Sequence, residues 1–177
     1  KRETKPGDFE TLTARIIDRS LRPLFPKGFT HPVVITVMVF SADLNVDLQV
    51  AALNAASSAL FTSNLPINKS VTAVRLGKID GDLIINPDNI QIQNSQLDLF
   101  IAGSKDELLM IEMRSIASNN KSNAMPEDDL IKAIAKASDV LSLANTMYEE
   151  QFLTIAVDPV NITLKDSNID QDLLELI

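Results

Sequence analysis

Few residues in this chain could do chemistry, and most of those are acids and arginines. Asp43, Asn45 and Asp47 put three oxygen donors at alternate positions, as at the start of a calcium-binding loop. Such a loop needs glycine at its sixth position and a bidentate glutamate at its twelfth, where this chain has Leu48 and Asn54. The same residues are good helix caps, because a short side-chain oxygen accepts from the free N–H groups of a first turn; capping is the stronger reading. His31 is the single histidine and there is no cysteine, so a thiolate metal site or a His-centred triad lacks its parts. Asp80/Asp82 and Asp128/Asp129 are paired carboxylates of the kind used in acid–base catalysis, but they straddle a turn and open a helix. They are read as turn and dipole residues. The five glycines are scattered and form no phosphate-cradling loop. No catalytic residue and no metal ligand is assigned.

Positive charge is concentrated at the N-terminal end. Residues 1–29 hold seven of the sixteen Lys/Arg and four of the twenty-four Asp/Glu, a local +3 in a chain of net −8. An acidic body with one basic patch is not a general nucleic-acid coat, but such a patch can still meet an anion. Lys1, Arg2 and Lys5 lie on a polar segment with Pro6 and Gly7, where their cationic ends can reach phosphates. Arg15, Arg19 and Arg22 recur at i, i+4 and i+7 on a helix that also carries Asp18. Salt bridges, within the chain or across an interface, are the favoured reading there.

These residues need elements to position them. Asp8 is expected to cap a helix whose apolar stripe runs through Leu12, Ile16, Ile17, Leu21 and Leu24, ended by Pro23, Pro26 and Gly28. Val33–Phe40 is apolar on both alternations and reads as a strand covered on both faces. An Ala-rich helix over 46–62, apolar almost all round, is expected to be buried and central. Asp80-Gly81 between Val71–Gly77 and Leu83–Asn86 signals a hairpin. Leu97–Ala102 and Leu108–Met113 form a second, after a polar connection over 88–96. Ser115–Asn123 is a Ser/Asn-rich loop. Pro126 and the acids after it start a helix to about Phe152, with Leu130, Ile134, Leu141, Ala144 and Tyr148 inward and Met147 filling gaps in the core. A connector follows, and Asp170–Ile177 reads as the first turns of another helix. The order helix, strand, helix, two hairpins, helix gives an α+β two-layer sandwich.

With 177 residues and 45% apolar content, the chain suits one globular domain and the start of another, divided near Leu153. The absence of cysteine fits a reducing compartment. The longest apolar run, Pro32–Phe40, is too short to span a bilayer, so no membrane partner is expected. The chain opens on charged residues without an initiator Met and is expected to be a piece of a longer protein.

Thr13–Phe29, TARIIDRSLRPLFPKGF, closely resembles a signature of the polynucleotide phosphorylase family, in the first of its two RNase PH-like cores. Ser20 stands where proline is usual. Further matches follow in order at Asp43–Leu60, Val74–Pro87 and Ser95–Glu112, so the resemblance covers about residues 1–152. It implies a core with the RNase PH-like (ribosomal protein S5 domain 2-like) fold over 1–152, lacking its N-terminal strands. A connector and the start of a helical linker domain would occupy 153–177.

The resemblance implies 3′-to-5′ phosphorolysis of single-stranded RNA to nucleoside diphosphates by the whole protein. Inorganic phosphate would be the co-substrate and Mg²⁺ the metal, bound outside these residues. It further implies a cytoplasmic homotrimeric ring and membership of an RNA-decay complex. The family's basic loop lines the ring's channel, which gives Lys1, Arg2 and Lys5 an RNA-binding role. Lys1 and Lys5 replace the family's usual arginines, keeping charge but not the bidentate fork. Aligned with the family's second, catalytic core, Asp47, Leu48 and Gln49 stand where serines hold phosphate. Asp98 keeps one acid, while Ile92 and Phe100 replace an Asp and a Lys. This core is therefore expected to be non-catalytic, serving ring assembly and RNA guidance. The alternative is a self-contained, non-catalytic RNA-binding ring subunit.

Overall fold

The computed structural model describes residues 5–43, 45–115 and 125–165. Helix α1 (Asp8–Leu21) continues into a 3₁₀ turn at Arg22–Leu24 and is followed by α2 (Leu48–Phe61). Strands β1 (Thr72–Ile79) and β2 (Asp82–Ile85) come next, then the one-turn α3 (Asn89–Gln93). Strands β3 (Leu97–Gly103) and β4 (Leu108–Ser115) precede the long α4 (Glu127–Phe152).

Both expected hairpins form, and they join into one antiparallel sheet of order β2-β1-β3-β4. Ile79 pairs with Asp82, leaving Asp80 and Gly81 as a two-residue turn with φ of 51° and 93°. That is the backbone shape for which Asp-Gly is favoured. The pleat sorts side chains strictly. Ala73, Phe100, Ala102 and Met110 face α1 and α2, while Val74, Leu76, Leu97, Leu99 and Ile101 face α4. The α+β core is thus observed with helices on both faces of the sheet.

Several local expectations change. Gly7, not Asp8, is the N-cap of α1; Asp8 lies in the first turn, where its charge suits the helix dipole. Helix α2 is not buried all round: Ala51, Ala55 and Ala59 form an exposed stripe at i, i+4. The polar connection holds α3, closed by a capping box between Asp88 and Gln91. The inward line of α4 is Ala133, Ala137, Leu141 and Asn145, with Leu130, Ile134, Ala144 and Tyr148 only half-buried beside it. Alanines hold the centre because they let the helix axis approach the sheet. Met147 is 58% exposed and fills no core gap.

The largest departure is Val33–Phe40. It is not a strand among the described residues, and Val34 and Phe40 are 88% and 90% exposed. Its side chains still alternate: Val33, Ile35, Val37 and Val39 line an open cleft of about 350 Å³ with Phe9, Ile17 and Ala52. No neighbouring strand of the described residues pairs with its backbone, and side-chain alternation without a ladder does not make a sheet.

After α4 the chain returns over the core. Val157 N donates to Thr62 O (3.3 Å), Val160 N to Asn64 O (2.8 Å) and Lys165 N to Gly28 O (3.0 Å). Gly28 has φ 85°, and a Cβ there would run into the Lys165 carbonyl. The expected helix at Asp170–Ile177 and most of the loop at Ser115–Asn123 lie outside the described residues. No described helix is long and apolar enough to cross a membrane.

Candidate functional site

The most concentrated polar chemistry in the described residues lies where α2 begins over the sheet. Asp47 caps that helix: its Oδ1 accepts from Gln49 N (2.8 Å) and Val50 N (3.1 Å). This is the capping role expected of it, and it commits one carboxylate oxygen to the backbone. The other oxygen, Oδ2, pairs with Arg75 Nη1 at 2.5 Å. Arg75 rises from β1 on the α2 side of the sheet, and its Nη2 donates to Gln49 Oε1 at 2.8 Å. Gln49 Nε2 in turn donates to Thr13 Oγ1 on α1 (3.2 Å). One guanidinium therefore joins β1, α2 and, through Gln49, α1.

The third acceptor is Asp98 on β3, diagonal to Arg75 across the β1/β3 ladder. Its Oδ1 lies 3.0 Å from Arg75 Nε. The approach is off the N–H direction, so both atoms are buried in an ion pair without a proper hydrogen bond. Burial pushes the Asp98 carboxyl above the ordinary aspartate value; Arg75 and Arg114 pull it down, while Asp47 and Glu112 add to the rise. Beneath the cluster lies Phe100, fully buried, with the Arg75 guanidinium carbon 5.8 Å from its ring centroid. The side chains of Arg75, Asp47 and Asp98 are 17%, 9% and 12% exposed, so water screens these charges little.

The cluster has two carboxylates and one guanidinium, a net negative charge at the helix N-terminus. Phosphate would be repelled there, and the local cation is already held by both acids. Ile92, half-buried on α3, and Phe100 add no titratable group. Among the described residues, no group of three or more His, Cys, Asp and Glu is placed to hold a metal. The oxygens that converge here are ion-paired or hydrogen-bonded to the Arg75 guanidinium, which takes the place of any metal, so the described residues do not fit a bound Mg²⁺.

The other candidates fall elsewhere. Lys5 is exposed just before α1, while Lys1 and Arg2 lie outside the described residues. Arg22 pairs with Asp18 at 2.6 Å, as expected for the helix arginines. Arg15 and Arg19 form no ion pair among the described residues; they flank a shallow groove with Ile111 and Met113 of β4. Asp43 Oδ1 accepts from Asn45 N (2.9 Å) in a local turn. His31 is exposed, its ring edge against Phe29 at 5.6 Å. Asp80 and Asp82 sit at the hairpin turn, and Asp129 pairs with Lys78 at 2.7 Å. Sequence reasoning missed Arg75 and Thr13. The available signal was an arginine inside an apolar strand, which requires a buried acid as partner.

Comparison with known proteins places these features in context. The profile of the 3′ exoribonuclease family, domain 1, matches residues 1–66, and that of domain 2 matches residues 69–140. The polyribonucleotide nucleotidyltransferase of Aliarcobacter butzleri is 52% identical over 190 aligned residues, covering all of this chain and 26% of that protein. That of Sulfurimonas denitrificans is 48% identical, covering all of this chain and 28% of its own length. That of Wolinella succinogenes is 56% identical over 86% of this chain and 21% of its own. The chain thus spans about a quarter of the length of these relatives. Among solved structures, rice Rrp46 superposes with a TM-score of 0.59 at 16% identity, covering 85% of this chain and 67% of that one. At that identity the likeness is one of fold.

Proposed function

The chain belongs to the 3′ exoribonuclease family, and on that premise we propose that it is a non-catalytic RNase PH-like core within a polyribonucleotide nucleotidyltransferase. The whole protein would degrade single-stranded RNA from its 3′ end with inorganic phosphate, releasing nucleoside diphosphates. Residues 1–152 would form the core and 153–177 the connector towards a helical domain. Phosphorolysis and the Mg²⁺ it uses would reside outside these residues. A homotrimeric ring in the cytoplasm, joined to an RNA-decay complex, is the setting this reading assigns to it.

One observation carries the reading. Where a phosphate-binding helix N-terminus is needed, this chain has an acid-capped helix whose nearby guanidinium is held by Asp47 and Asp98. Phosphoryl transfer requires free positive charge on the transferring group, and this cluster offers none. The 177-residue chain is expected to release no ADP from poly(A) with phosphate and Mg²⁺; ADP above the no-enzyme control overturns the reading.

RNA guidance is assigned to Lys1, Arg2 and Lys5 as phosphate contacts. Their joint replacement by alanine in the longer protein should weaken RNA binding and reduce the slope of log affinity against log salt by about 2, from about 0.7 per phosphate on single strands. Unchanged affinity and slope would retire the assignment.

A further inference from the structure

Arg15 and Arg19 stand one turn apart on the exposed side of α1, in a chain of net charge −8, yet neither forms an ion pair among the described residues. They overlook β4 across a groove of about 380 Å³ whose other wall is Met110, Ile111, Glu112 and Met113. Strand β4 is the end of the sheet: β3 pairs with one side of it, and no strand of the described residues pairs with the other. An edge of this kind offers a row of N–H and C=O groups to another strand. Proline and bulges, which break such an edge, are absent between Met110 and Arg114; the register shift of the ladder lies at Ala102/Gly103. The two faces of the edge differ. Ile111 and Met113, opposite Ile101 and Leu99, lie on the α4 face and are 50% and 47% exposed. Glu112 and Arg114, opposite Phe100 and Asp98, lie on the α1 face and approach each other at 3.7 Å. That contact leaves Arg15 and Arg19 as the uncompensated charge above the edge.

We propose that the free edge of β4, with Arg15 and Arg19 above it, is a docking site for an extended polypeptide segment in which acidic and apolar residues alternate. A strand added beside β4 presents successive side chains to opposite faces. Its backbone continues the sheet, its acids meet the two arginines, and its apolar side chains cover Ile111 and Met113. The spacings agree: alternate residues of a strand are about 6.6 Å apart, and side chains one helical turn apart are separated by about 5–6 Å. The site uses none of Lys1, Arg2 and Lys5, and it does not depend on whether this core is catalytic.

The test is fluorescence anisotropy of short labelled peptides titrated with the 177-residue chain. A peptide of alternating Glu and Val should bind, and one of alternating Lys and Val should not. The Glu/Val peptide N-methylated at every second residue keeps its charges but cannot complete a ladder, and should bind about tenfold more weakly or worse. Arg15→Ala and Arg19→Ala should each weaken binding of the Glu/Val peptide about threefold. Arg15→Glu combined with Arg19→Glu should transfer the preference to the Lys/Val peptide. Both arginines are exposed, so these variants should keep the wild-type circular dichroism, and the N-methylated peptide tests the wild type without any substitution. Absence of binding, equal binding of the Lys/Val peptide, or equal binding of the N-methylated peptide each overturns the proposal. Displacement of the labelled peptide by oligo(A) as readily as by unlabelled peptide would assign the arginines to RNA and also overturn it. Phosphorolysis by this chain would defeat the functional reading and leave this one standing.

Discussion

Strand β1 carries two basic residues three positions apart, and each pins a helix to the sheet by an acid at the helix's N-terminal end. Arg75 holds Asp47, the cap of α2, on one face; Lys78 holds Asp129, in the first turn of α4, on the other. The devices are alike in topology and differ in burial. The acids are 9% exposed at the first pin and 34% at the second, where Lys132 also approaches Asp129 at 3.7 Å. Arg75 and Lys78 are equally buried, but a fork joined to three acceptors is a structural centre, whereas a point charge whose acid is one-third exposed contributes less and is partly screened by salt. Helix position is set on the α4 side by other means. Asn145, fully buried, donates to Gly103 O (2.9 Å) and accepts from Ser70 Oγ (2.8 Å), below the Ala133–Ala137–Leu141 line.

Removing Arg75 should show the contrast most strongly. Arg75→Ala leaves two buried carboxylates without their counter-charge and should cost about 3 kcal/mol, measured by urea unfolding. A loss no larger than that of Lys78→Ala would make the two pins equivalent and break the comparison.

Asp47 separates capping from pairing. Asp47→Asn keeps an oxygen for Gln49 N and Val50 N, while Asp47→Ala loses it, so alanine should be the less stable by about 1 kcal/mol. Equal midpoints would mean that the cap contributes nothing beyond the ion pair.

The two acids also titrate in opposite senses. Asp98 has a raised folded-state pKa, so the folded chain retains a proton that the unfolded chain has released. Its contribution to stability therefore declines as pH rises from the ordinary aspartate value through the raised one. Asp129 is lowered by its hydrogen bond and charge interaction with Lys78, so its contribution is present above the ordinary value and is lost as pH falls through the folded one. Urea midpoints across acidic pH should lose the first trend in Asp98→Asn and the second in Asp129→Asn. Matching pH profiles for both variants would contradict these directions.

Lys78→Ala should have the smallest effect, and high salt should reduce it further by partly screening the half-buried pair. A large, salt-independent loss would show that Lys78 acts through buried contacts of its stem.

Much of the fold could be read from local pattern. The Asp-Gly turn, the period-two strands, the acidic opening of α4 and the Asp47 cap each depend on residues a few positions apart. The ordered motifs at Thr13–Phe29, Asp43–Leu60 and Ser95–Glu112 also pointed to the family. Reading failed where the deciding partner is distant in sequence or absent from the local pattern. Val33–Phe40 has the composition of a strand, but a strand exists only in a ladder, and no neighbour for it lies among the described residues. Met147 is apolar at a helical spacing that suggested the core, yet the sheet lies against the Ala133–Asn145 line and leaves it in solvent.

The sequence by itself determined the family, the hairpin turns, the Asp47 cap and the acidic opening of α4, because each is a property of residue type at short spacing or of motifs in a fixed order. Only the tertiary structure decided what meets Asp47 at the start of α2. Arg75 meets Asp47 and Gln49 across 28 and 26 positions, and Asp98 across 23. The β1/β3 register and the seating of α2 on the sheet bring four side chains within hydrogen-bonding distance, where their charges must be settled among themselves.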